Sequence, residues 1–435
     1  MKTPARKGLT VVVGLSTVAL ALASCSAGAP PTDGPVEITF LTQNDEANVV
    51  AATAMIEAFE AENDDITVRL ETQPPGTEGD NLMKTKLATG EMEDVFHYNS
   101  GSLLQALNPD QNLVPLDGEP WVEDLLDTMA AVVSTENAIY GAPWGTTQAG
   151  AMVYNKKVYA DLGLSIPTDW EEFSANNEVI KAAGITPVIQ TYGDTWSSQL
   201  FVLGDFGNVL AQDPDWAEEY TAGERDYVDQ PALDGFEKQQ DGFESGWWNA
   251  DFASALFDEG ARMIATGEGA HYPILTSIVS TIQQNNPEAL DDVGVFPIPA
   301  RNAADTKLTV WLPNAVYIPK TTEGAELDAA KKFVAFVNSE AGCEVQQTAM
   351  VPSGPFATNS CSLPDDVPGL LTDMEPYFDE GTTNPALEFL SPIKGPNLEN
   401  ITVEVGSGIR SAADGAALYD EDVVKQAQQL GLEGW

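Results

Sequence analysis

The residues of this chain that could do chemistry are mostly acids. Asp and Glu number 67 against 20 Lys and Arg, histidine is confined to His97 and His271, and cysteine to Cys25, Cys343 and Cys361. Carboxylates suffice for an acid/base pair of the kind that cleaves glycosidic bonds, but in so acidic a chain their abundance singles out no pair. Other chemistries lack their usual motifs. There is no Gly-x-Ser-x-Gly elbow, no His-Glu-x-x-His, no Gly-x-x-x-x-Gly-Lys-Ser/Thr, no Cys-x-x-Cys and no EF-hand loop. The histidines are too far apart in sequence to suggest a metal pair, so each reads as a core or cleft-rim residue, and no metal or cofactor is expected. Two polar clusters remain, Gln43-Asn44-Asp45-Glu46 and Asn99-Ser100-Gly101, with the amides, carboxylates and hydroxyl that hydrogen-bond a polar guest.

The surrounding elements give these clusters their weight. Val36, Ile38 and Phe40 alternate with polar residues and predict a strand, as do Ile66, Val68 and Leu70. Val49, Ala52, Ile56 and Phe59 recur at helical spacing, predicting a helix over about 47–62; a second is predicted over 80–89, then a short strand over 94–98. Strand alternating with helix is the order of a mostly parallel sheet with helices on its faces. Such sheets place ligands beyond the carboxyl ends of their strands, where both polar clusters fall. Further strands are predicted at 151–154, 186–189, 308–311 and 315–318, with helices over 170–183, from Leu327 to Val337 and over 420–430. The stretch 205–259 reads as mostly helical.

At the start, Lys2, Arg6 and Lys7 precede an apolar run from Leu9 to Ala23, the plan of a secretory signal peptide. Leu22-Ala23-Ser24-Cys25 resembles the lipobox of bacterial lipoproteins, which implies lipidation at Cys25 and localisation outside the cytoplasm, anchored to the cell membrane. Ser26 to Pro35 is a tether by its small residues, Pro and Gly. With Cys25 so used, Cys343 and Cys361 form an even pair in an oxidising compartment, where a disulfide is expected. The formal charge of −47 excludes nucleic-acid binding and charge-driven docking on anionic lipid. Roughly 400 mature residues exceed what one core usually supports, so two lobes are expected.

Several stretches together resemble the family 1 extracellular solute-binding proteins of bacterial carbohydrate ABC importers, the superfamily of maltose-binding protein. They are Lys84-Thr85-Lys86-Leu87-Ala88-Thr89-Gly90-Glu91 with Asp94-Val95-Phe96, then Tyr140-Gly141-Ala142-Pro143-Trp144 leading to Tyr154-Asn155-Lys156, then Ala183-Gly184-Ile185-Thr186-Pro187, and Tyr317-Ile318-Pro319-Lys320. The resemblance implies an α/β, two-lobed periplasmic-binding-protein type II fold with discontinuous lobes joined by a hinge. It divides the chain into a signal peptide (1–24), a tether (25–35), a first lobe (36–147 and 312–356) and a second lobe (148–311 and 357–435). The crossings fall near Thr147–Gly150 and Trp311–Asn314. It further implies a monomer whose partners are a carbohydrate ligand and the permease subunits of an ABC transporter.

Sugars stack their C–H faces on aromatic rings and pair their hydroxyls with planar carboxylates and amides. Positions used by the family fall here on Asn44, Asp45, Glu46, Asn99, Ser100, Trp144, Gln148, Asp194, Trp196, Trp311 and Asn314. Asp45 and Asp194 can equally cap helices, Asn99 can equally satisfy a turn, and the tryptophans can equally be packing residues. The sequence departs from the family at Gly267-Glu268-Gly269-Ala270-His271-Tyr272, where relatives carry a cleft-loop tryptophan; either Tyr272 supplies the ring or Glu268 makes that wall polar. The expected function is capture of a sugar or oligosaccharide without catalysis. A peptide or polyamine cargo on the same fold and a secreted carbohydrate-active enzyme are the alternatives.

Overall fold

A computed structural model describes residues 35–364, 367–432 and 434–435. The leader, Cys25 and the tether as far as Gly34 lie outside the described residues. The strands are β1 (Val36–Gln43), β2 (Ile66–Gln73), β3 (Val95–Tyr98), β4 (Gly141–Trp144), β5 (Gln148–Asn155), β6 (Thr186–Val188), β7 (Gly269–Leu275), β8 (Val293–Phe296), β9 (Leu308–Trp311), β10 (Asn314–Tyr317) and β11 (Thr383–Pro385). They form two sheets, ordered β2-β1-β3-β10-β4 and β11-β9-β5-β7-β6, with β8 also paired to β5. β1 runs parallel to β2 and β3, while β10 is antiparallel to β3 and β4.

Apolar spacing explains how the helices cover these sheets. Helix Glu46–Glu62 buries Ala51, Ala52, Met55, Ile56 and Phe59 along one stripe. Phe59 and the β1 residue Phe40 both meet Phe333 of helix Gly324–Val337, with ring centroids 5.2 Å apart in each pair. The first two predicted helices begin slightly early, at Glu46 and Gly76. The closing helix spans Ala412–Leu430 and starts well before the expected Asp420, because Ser411 caps it by accepting the Asp414 N–H at 3.1 Å. A second core lies around Val153, Ile274 and Leu308. A third packs Trp216, Tyr220, Tyr227 and Tyr419 beneath the C-terminal helices. Trp121, Trp170, Trp216 and Trp247 are buried packing residues.

The chain passes between the sheets along adjacent paths. Asn314 is registered against Trp144, and Gln148 against Trp311, so the β4-to-β5 and β9-to-β10 connections run side by side. A third segment lies beside them: Ser353 donates its N–H to Thr146 Oγ1 at 2.9 Å, and Thr147 donates its N–H to the Pro355 carbonyl at 2.8 Å. The expected return to the second lobe near Phe356 needs correcting. Ala357 belongs to the first core, Asn359 donates its N–H to the Asp124 carbonyl, and Cys361 is bonded to Cys343 with Cα atoms 5.4 Å apart. The disulfide therefore holds the chain on the first lobe through Cys361, and helix Gly369–Asp379 then packs on β8 of the second. Among the described residues no helix is long and apolar enough to cross a membrane.

Candidate functional site: the interlobe cleft

A cavity of about 470 Å³ lies between the sheets at the crossings, within the size range of small-molecule sites. Its first-lobe wall is built from the ends of β1 and β3 and the start of helix Gly76–Thr89. Its second-lobe wall comes from the segment after β6, the start of helix Phe257–Thr266, and the stretch 388–399. Asn44, Asp45, Asn99, Trp144, Gln148, Asp194, Trp196, Trp311 and Asn314 all line it.

Geometry separates their roles. Asp45 caps helix Glu46–Glu62, accepting from Asn48 N–H at 3.0 Å and Asn48 Nδ2 at 2.7 Å. Asp194 accepts from the Phe257 N–H at 2.7 Å across the second-lobe wall. Trp144 is wedged between Phe40 and His97, with centroids 5.4 and 5.6 Å away, and only 4% exposed, so its faces are occupied. Trp311 packs close against Gly150, where a Cβ would come within 2.2 Å of its ring. Trp196 is the half-buried aromatic of the set, packed beside Phe257 with ring centroids 5.4 Å apart.

Four expected contacts are corrected. Glu46 is exposed in the first helical turn and lines no part of the cavity. Ser100 is buried and donates to the Pro313 carbonyl at 2.8 Å. Glu268 is exposed and holds Arg262 through both carboxylate oxygens at 2.6 and 2.9 Å. Tyr272 is buried and hydrogen-bonded to Thr191 Oγ1 at 2.6 Å. Tyr272 fails because it lies in β7, buried between β5 and β6, and Glu268, just before that strand, is turned to Arg262 instead of the cavity.

Other cavity residues went unnoticed in the sequence, among them Asp80, Lys84, Asp258, Gln346, Glu388, Lys394 and Glu399. Lys394 and Glu399 fall in a turn-rich stretch far from the other wall in sequence, and no local pattern marks them. Burial, with Asp45, Glu46 and Asp194 facing it, pushes the Asp258 carboxyl upward. Burial also raises Asp80, against the opposing pull of Lys394 and Lys84. His97 contacts Thr42 Oγ1 through Nδ1 at 3.1 Å and, desolvated, is pushed down to about 4, so it is neutral at physiological pH. His271 sits in the second-lobe core against Tyr159 and Asn177. Among the described residues no cluster of His, Cys, Asp and Glu could hold a metal ion.

Two sheets joined by paired crossings, with a cavity of mixed polar and apolar lining between them, define a two-lobed protein. Residues 44–342 match the family described as bacterial extracellular solute-binding protein, and the chain belongs to that family. It is 27% identical over 198 residues to the multiple sugar-binding protein of Streptococcus mutans serotype c (strain ATCC 700610 / UA159), an alignment covering 45% of this chain and 46% of that one. The match thus spans about half of the curated relative. Among solved structures, a chitin oligosaccharide binding protein superposes with a TM-score of 0.78 at 21% identity, covering 91% of this chain and 99% of that chain. The solute-binding protein RafE in complex with raffinose gives a TM-score of 0.73 at 18% identity, with the same two coverages. At these identities the likeness establishes the type II two-lobed fold.

Proposed function

We propose that this protein captures an uncharged sugar or oligosaccharide in its interlobe cleft and delivers it to the permease of an ABC importer. The observation that carries the reading is the composition of the cleft. Its planar amides and carboxylates, Asn44, Asn99, Gln148 and Asn314 among them, surround the partly exposed rings of Trp196 and Phe257. That is what a hydroxyl-rich guest with apolar C–H faces requires. The names of the relatives support the same class of guest. The cavity carries carboxylates on both walls, with Lys84 and Lys394 as its cations, which favours a neutral guest over an anionic one. The protein works as a monomer without catalysis, outside the cytoplasm, held to the membrane by lipid on Cys25.

A thermal-shift screen over mono- to pentasaccharides, peptides and polyamines tests the cargo. A saccharide present at one hundred times its dissociation constant stabilises the fold by about 2.7 kcal/mol, with no product released. A shift from a peptide or polyamine alone would overturn the sugar reading, and glycan cleavage would overturn the carrier reading. Cys25→Ala should release the protein from membranes; a variant that stays membrane-bound rules out the lipid anchor.

A further inference from the structure

The first four N–H groups of an α-helix have no partner within it, and the helix dipole makes that end attractive to an acceptor or a negative charge. Helix Gly76–Thr89 of the first lobe follows Pro75, which offers no side-chain cap. Its cap comes instead from the other side of the cleft. Glu399, in the first turn of helix Leu398–Gly406, accepts the Thr77 N–H through Oε1 at 3.3 Å. The same oxygen accepts from Thr195 Oγ1 of the second lobe at 2.8 Å, which fixes the carboxylate before it reaches across. Thr77 Oγ1 also donates to the Pro396 carbonyl at 3.4 Å. The approach is close: Gly76 has φ of +70°, and a Cβ there would stand 3.3 Å from Glu399 Oε2. Glu399 is buried, so opening the cleft would leave the helix end without this partner.

We infer that Glu399 is a positioning residue for capture, a latch on the second lobe that stabilises the closed arrangement by capping the first-lobe helix. It sets how much of the ligand-free protein is already closed. Ligand affinity scales with that fraction, because only the closed state presents both walls at once. The role rests on the capture reading above, but its first readout needs no ligand.

The test compares small-angle scattering of the ligand-free full chain with that of its variants. Glu399→Ala should enlarge the radius of gyration, and Glu399→Gln, which keeps an oxygen acceptor without the charge, should fall between. Thr77→Pro removes the donor from the opposite lobe at a first-turn position that tolerates proline; it should open the protein as well, and the double variant should open it no further. Affinity for whichever saccharide binds the unaltered protein should drop about two- to thirtyfold, the range of one lost helix cap. Ligand-free scattering of Glu399→Ala that superimposes on the unaltered protein overturns the latch, even if affinity falls, since Glu399 would then act by touching ligand. Should Glu399→Ala fail to fold, Thr77→Pro decides alone by the same comparison. If no saccharide binds, the sugar reading falls while the scattering still decides the latch.

Discussion

Two tryptophans of the cleft carry different work because of what touches them. Trp144 is packed on both sides, whereas Trp196 keeps an accessible ring. Trp196→Ala should therefore weaken saccharide binding by about tenfold or more while circular dichroism stays unchanged; calorimetric titration checks this, and retained affinity removes Trp196 from the site. The buried histidines predict an acid sensitivity of stability. Burial drives His97 down to about 4 and His271 to about 3, below the ordinary 6.5 of the unfolded chain. Each is neutral in the fold while the unfolded state gains a proton, so stability is full above about pH 6.5 and is lost as pH falls toward the folded values. The slope approaches about 1.4 kcal/mol per pH unit for each histidine. Comparing urea denaturation of the unaltered protein and His271→Gln between pH 7 and pH 4.5 isolates one histidine's share. The stability difference should shrink by about that slope as pH falls, and a difference that does not change with pH counts against the assignment.

At the scale of elements, the paired crossings set the geometry of the site. β5 pairs with β9 through Gln148 and Gly150, and the bare Cα of Gly150 leaves room for the Trp311 ring. Gly150→Val should cost about 1–3 kcal/mol by overpacking. It should also weaken ligand binding, because Trp311 must leave its place in the cavity wall. Denaturant midpoints together with titration test both effects, and a variant with normal stability and affinity would show that Trp311 does not depend on this glycine. The disulfide acts at the same scale: by bonding Cys343 to Cys361 it anchors the third passage between lobes to helix Glu340–Ala349 of the first lobe.

Across the whole molecule, function lies in the relation between lobes. The proposed closure would link ligand occupancy to shape through contacts between the walls such as Glu399 to Thr77. A bound saccharide should shrink the radius of gyration in scattering, and the change should saturate with occupancy. A profile unaltered by a saccharide that calorimetry shows to bind would argue against closure as the mode of capture.

Much of the fold was legible because apolar periodicity is local. The alternation of Val36, Ile38 and Phe40 and the helical spacing of Val49 through Phe59 each need only their own segment to be read, and the structure has both elements nearly where they were expected. The polar residues after β1 and β3 were legible as a site because strand order predicts where strand ends gather. β7 was not legible: Gly269-Ala270-His271-Tyr272-Pro273 lacks alternation because the strand is buried on both faces, and its Gly and Pro resemble a loop. The far wall was equally hidden, since Lys394 and Glu399 meet Asp80 and Lys84 only when the chain's end folds back onto its beginning. The sequence by itself determined the elements whose apolar pattern is local, the charge and the family. Only the tertiary structure decided which side chains share the cavity, because that depends on contacts between residues hundreds of positions apart, which no local pattern encodes.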